Sequence, residues 1–228
     1  MEPCAIVPLT HAGDFEGATT PVAGEAPLVR VVRSVLDAVA DERVVVATVP
    51  ALAAATVECL RAAGLATAVA VAPEPESRQR VIRAGLEHLG AEAHTAVSVL
   101  VCDHRYPLAP GQLAERVLAA LADGHDVVVP ILPVTDTVKA VDELGSVLST
   151  VDRSALRTVQ YPRGFTASAL WQLISVSAAS ASDDLDEFDA ALLAGLDIGT
   201  VDGDANAFQV ELPRDAHLLD AVIACRPG

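Results

Sequence analysis

Two hydrophobic periods alternate along this chain, and that alternation narrows the fold more than any other feature. Ala5-Ile6-Val7, Val44-Val45-Val46-Ala47, residues 66–72, residues 97–102 and Val127-Val128-Val129 are short, nearly uninterrupted apolar runs. A strand that is apolar on both faces is buried on both faces, as in a parallel sheet covered by helices. The intervening segments carry helical spacing. Pro27 suits a first helical turn, and Leu28, Val31, Val32, Val35, Leu36 and Val39 follow three and four apart. Residues 51–63 predict a helix stopped by Gly64, Ser77 predicts the cap of a helix running to Leu89, and residues 112–122 predict another. The Gly/Thr/Ala-rich stretch from Leu9 to about Glu25 predicts a loop. The β-α-β-α order implies a doubly wound α/β sheet, with function at the carboxyl ends of its strands.

The second half changes character. Residues 137–141 and 146–150 flank Gly145 and predict a β-hairpin. Helices are expected over 166–178 and 183–194, short strands over 198–201 and 208–210, and a final helix over 213–225.

Composition decides which partners are excluded. The formal charge is −16, and Lys139 is the only lysine. Such a surface repels nucleic acid, and it repels a nucleoside triphosphate unless cations are gathered at the site. The longest uncharged run, residues 164–182, is broken by Ser, Thr and Gln and reads as a helix rather than a membrane span. Cys4, Cys59, Cys102 and Cys225 stand singly, without metal spacing. They read as free thiols of a reducing compartment. No signal peptide is expected from the first residues, which gives a cytoplasmic expectation.

Several segments, in order, resemble the 2-C-methyl-D-erythritol 4-phosphate cytidylyltransferase family. They are Ala5-Ile6-Val7-Pro8, Arg78 with Val81-Ile82-Arg83-Ala84-Gly85-Leu86, and Val101-Cys102-Asp103 up to Pro107. Asp136-Thr137-Val138-Lys139-Ala140-Val141-Asp142, Thr150-Val151-Asp152-Arg153 through Gln160-Tyr161-Pro162-Arg163-Gly164-Phe165, Ser182-Asp183-Asp184 and Val201-Asp202-Gly203-Asp204 complete the set. The resemblance spans the chain. It implies a three-layer α/β/α nucleotidyltransferase-type (Rossmann-like) domain over 1–228, with a mostly parallel sheet. It also implies CMP transfer from CTP to a sugar-alcohol phosphate with Mg²⁺, and a homodimer whose β-arms, here about 137–160, help build each other's sites.

The same resemblance marks what is missing. The family's first strand opens into a glycine-rich loop ending in arginine, followed by a lysine. Here the stretch reads Leu9-Thr10-His11-Ala12-Gly13-Asp14-Phe15, with Phe15 at the arginine position and the lysine deleted. A later lysine is replaced by Gln209. In the base-binding region Glu74-Pro75 replace two glycines and Val81 a serine, while Arg78 remains. Gly13 and Arg78 are thus the nucleotide-binding candidates. The acceptor side keeps more: Asp103 matches the aspartate near metal and acceptor, and Thr137 and Arg153 match residues that hold the acceptor phosphate. Arg105 comes one position early, Tyr106 fills the arginine slot, and Tyr161 replaces a threonine.

Each candidate also has a plain structural reading. Asp103 could cap a turn, Thr137 and Arg153 could pin the hairpin, and Lys139 reads as a solvated edge charge. His11 and His104 read as surface-loop residues, and the acidic run 183–187 reads as a helix start. Two functions therefore compete. One is a cytidylyltransferase-like enzyme of weak or lost activity, with Mg²⁺ if active. The other is a non-catalytic paralogue that binds a phosphorylated metabolite or pairs with an active homologue.

Overall fold

The computed structural model describes residues 2–74, 77–91, 96–177 and 186–225. Strands β1 (Pro3–Leu9), β2 (Val44–Thr48), β3 (Ala68–Val71) and β4 (Ser98–Val101) form one parallel block in the order β4-β1-β2-β3. Strand β5 (Val127–Pro133) pairs in parallel with β10 (Ile198–Asp202) at the far edge. Between β4 and β5 lies an antiparallel strand, β9 (Arg163–Thr166). Strand β8 (Arg157–Val159) pairs antiparallel with the end of β5. The sheet is therefore mostly parallel, and neither β8 nor β9 was expected from the sequence. Gly164 of β9 has a packing reason: a Cβ there would lie 2.4 Å from Cγ1 of Val117.

The uniform apolar runs are explained by burial on both faces. Ile6, Val45, Val99 and Val101 point into one core with helix α4 (Arg78–His88) and helix α6 (Ala167–Ser177). Their neighbours Ala5, Val7, Val46 and Leu100 point into the other, with α2 (Pro27–Leu36), α3 (Pro50–Ala62) and α5 (Gly111–Ala122). Pro27 occupies the first turn of α2, and Gly64, at φ 75°, lets Leu65 donate to the Leu60 carbonyl at the end of α3. Helix α7 (Glu187–Leu193) packs beside α6, and α8 (Ala216–Ala224) closes the chain. No helix among the described residues is long and apolar enough to cross a membrane.

The hairpin forms as expected: β6 (Lys139–Val141) pairs with β7 (Val147–Thr150), with Gly145 at φ 82°. It is a separate two-stranded sheet.

Three local expectations need correction. The stretch expected to be a loop contains helix α1 (Ala12–Thr19). Its start is fixed by Asp14, whose Oδ2 accepts the N–H groups of Thr10 and His11 at 3.3 and 3.1 Å. Phe15 packs on the apolar core, and the hydroxyls of Thr19 and Thr20 donate to carbonyls one turn back. Residues 208–210 form no strand; the Val210 N–H donates to the Arg105 carbonyl at 2.8 Å instead. His104 is buried, not on a surface loop.

Candidate active site

The site is read at the carboxyl ends of β1 and β4. After β4 the Cys102 N–H donates to the Ile6 carbonyl at 2.9 Å, which carries the chain past the sheet edge and delivers Asp103. Asp103 is buried, and it faces a cation of its own chain. Nε of Arg105 lies 3.1 Å from each carboxylate oxygen, Nη2 lies 2.6 Å from Oδ2, and the Arg105 backbone N–H donates to Oδ1 at 2.9 Å. Burial alone would raise the Asp103 carboxyl. The hydrogen bonds and charge of Arg105 outweigh it and hold Asp103 below the usual carboxylate range. Burial, aided by Asp103, pushes the neighbouring Cys102 thiol up to about 12, so no thiolate is poised there.

The other cations around Asp103 are also matched. Arg78, the first residue of α4, donates through Nε and Nη2 to the two oxygens of Glu187 at 2.8 and 3.1 Å. Arg163 of β9 donates to Asp186 at 2.6 Å, and its guanidinium lies 4.1 Å above the Tyr161 ring and 5.1 Å from that of Phe188. Asp186 also caps α7, accepting the N–H groups of Phe188 and Asp189. Ser77 caps α4 as expected, accepting from the Arg80 N–H at 3.3 Å. Asp186 and Glu187 thus start a helix, as the acidic run suggested. Residues 183–185, and Pro75, lie outside the described residues.

The substituted positions contact one another. Tyr106 packs on Tyr161 with ring centroids 5.2 Å apart, and its hydroxyl makes a long hydrogen bond of 3.4 Å to Oε1 of Gln209. Gly13 lies in the first turn of α1, not in a loop, and a Cβ added there would meet nothing within 4 Å. Thr137 and Arg153 stay on the arm, both exposed. Arg153 donates to the Thr135 carbonyl, and Lys139 to the Thr150 hydroxyl at 2.6 Å. Within one chain Asp103 and Arg78 are therefore brought to one region, with Gly13 on α1 beside Arg105, and the two arm residues are not hydrogen-bonded to any of them.

Sequence reasoning missed Glu187 and Arg163 as members of this cluster. Glu187 lies 109 positions from Arg78, and nothing in local periodicity links them. It also missed His104, whose imidazole lies 3.7 Å from Asp103. Burial is the largest influence on His104 and lowers its pKa against the opposing pull of Asp103 and Asp14.

A divalent cation at Asp103 would have to displace the Arg105 guanidinium. Both oxygens of Asp103 are already held by a guanidinium, and among the described residues no three His, Cys, Asp or Glu side chains converge.

Comparison with known proteins agrees with the fold and with the order of segments. The family model for 2-C-methyl-D-erythritol 4-phosphate cytidylyltransferase matches residues 14–224. The protein of that name from Saccharopolyspora erythraea is 37% identical over 229 residues, covering 98% of this chain and 100% of the relative. The Rhodococcus jostii protein is 38% identical over 226 residues, covering 96% and 94%. The crystal structure of the Thermus thermophilus protein superposes with a TM-score of 0.77 at 27% identity, covering 98% of this chain and 100% of that one. With a matched family model across most of its length and relatives above 30% identity, the chain belongs to the 2-C-methyl-D-erythritol 4-phosphate cytidylyltransferase family.

Proposed function

We propose that this chain is a cytidylyltransferase-family subunit whose own site transfers CMP weakly or not at all. The reaction it would inherit joins a sugar-alcohol phosphate to the α-phosphorus of CTP and releases pyrophosphate. Such a step depends on positioning and on fixed positive charge around the phosphates. The observation that carries the reading is the pairing of each of the three arginines clustered near Asp103. Arg105 is held by Asp103, Arg78 by Glu187 and Arg163 by Asp186, three cations against three carboxylates. No surplus charge is left in that cluster for a triphosphate, and Phe15 and Gln209 supply none.

Loss of one such donor lowers a rate by about 10²–10³. Several losses on one substrate go further, without simple additivity. Purified protein given CTP, Mg²⁺ and methylerythritol phosphate is therefore expected to release pyrophosphate at background rate. Turnover at ordinary enzyme rates would overturn the reading.

The arm supports an assembly role. A lone two-stranded hairpin is marginal in water, yet this one exposes Val141, Leu144, Val147 and Leu148. We propose that it pairs with a second copy or an active homologue, and that any phosphorylated metabolite is met by its exposed Arg153, Lys139 and Thr137. A cytoplasmic location suits the four unpaired cysteines.

A further inference from the structure

A cavity of about 230 Å³ lies between α1 and the segment after β4, walled by Gly13, Asp14, Gly17 and His104. Arg105 and residues 210–212 complete it. The His104 side chain is 9% exposed, and its imidazole forms part of the cavity wall. Its Nδ1 lies 3.7 Å from Asp103, beyond hydrogen-bond reach. The imidazole lines the cavity, where a ring nitrogen can accept from a bound donor. The wall opposite is bare: a Cβ on Gly17 would lie 3.6 Å from Nε2 of His104 and 3.7 Å from the Leu212 carbonyl oxygen.

Charge decides what such a cavity accepts. Arg105 is neutralised by Asp103, and Arg214 is shared between Glu211 at 3.0 Å and Asp215 at 3.1 Å. Among the described residues Asp14 accepts only from the backbone N–H groups of Thr10 and His11. The lining, counted with its partners, thus has four carboxylates against two guanidinium groups and keeps two uncompensated negative charges, and the whole chain carries −16. An anion is repelled there, whereas an ammonium group finds a carboxylate, a carbonyl and an imidazole lone pair.

We infer that this cavity binds a small molecule bearing an ammonium group, held by Asp14 and His104. The inference rests on the reading that a triphosphate no longer enters here. It is tested on the full chain with ethanolamine and putrescine, and with inorganic phosphate and CTP–Mg²⁺ for comparison. Either amine is expected to shift the His104 ring ¹⁵N resonances saturably and to raise the Tm with concentration.

Gly13→Leu fills the open space and favours the helix, so it should abolish the shift while the fold is kept. Asp14→Asn retains the acceptor oxygen for Thr10 and His11 but not the charge. It should weaken binding roughly fivefold at low salt. No shift with either amine, a shift that Gly13→Leu leaves intact, or phosphate binding in their place would overturn the inference. Silence with every ligand overturns this inference alone. Saturable CTP–Mg²⁺ binding in the cavity overturns the functional reading with it.

Discussion

Nη2 of Arg105 lies 2.6 Å from Oδ2 of Asp103, so this buried carboxylate is held by a neighbour two positions along. The pair fixes the turn after β4 and removes Asp103 from the free acceptors. Arg105→Met leaves that buried carboxylate without its cation. The expected cost is about 2 kcal/mol, less than for a fully buried pair because Arg105 is 42% exposed. Urea unfolding at neutral pH measures it, and an unchanged midpoint would contradict the pairing.

Glu187 and Arg78 should behave as a coupled unit tying α7 to α4. Glu187→Ala leaves a guanidinium uncompensated and is expected to cost about 3 kcal/mol. Arg78→Met combined with Glu187→Ala should cost less than the sum of the single changes, by at least about 0.5 kcal/mol. A double-mutant cycle by chemical denaturation reads this directly, and strict additivity would refute the contact.

Acid should destabilise the fold in two stages. His104 titrates below its ordinary value near 6.5, and Asp103 and Asp186 titrate below 3.8. In each case the unfolded chain binds the proton more tightly than the folded one. The stability these groups contribute is complete above the unfolded value and is lost as pH falls through the folded one. The loss begins below pH 6.5 through His104 and deepens below 3.8 through the carboxylates. His104→Phe should remove the first stage in a pH series of urea midpoints; persistence of that stage would assign it elsewhere.

The arm should control assembly. Leu144 is 91% exposed at its tip, so Leu144→Asp should leave monomer stability within about 0.5 kcal/mol. Combined with Leu148→Asp it should shift the protein toward monomer in light scattering. A wild-type monomer at high concentration would contradict an arm-mediated pair.

Much of the fold was legible because its signals are local. Uniform apolar runs gave the buried strands, Ser77 and Gly64 marked helix ends, and Gly145 marked the hairpin. Strands β8 and β9 were not legible: Arg157, Arg163 and Gly164 break any strand pattern, Arg157 stays exposed, and Gly164 is buried by packing on the distant Val117. Helix α1 was hidden by its glycines, which suggest a loop until the Asp14 cap and the packing of Phe15 are seen. At the site, the substitutions at Phe15, Tyr106 and Gln209 were readable one by one. That Arg78, Arg105 and Arg163 are each consumed by a carboxylate was not, because two of the three partners lie far along the chain or on another element.

The most direct measurement is calorimetric titration of the purified protein with CTP in the presence of Mg²⁺. With every arginine of the cluster paired, no saturable heat is expected, corresponding to a Kd weaker than about 1 mM. Micromolar binding, with Arg105 displaced from Asp103 in the bound state, would contradict the account.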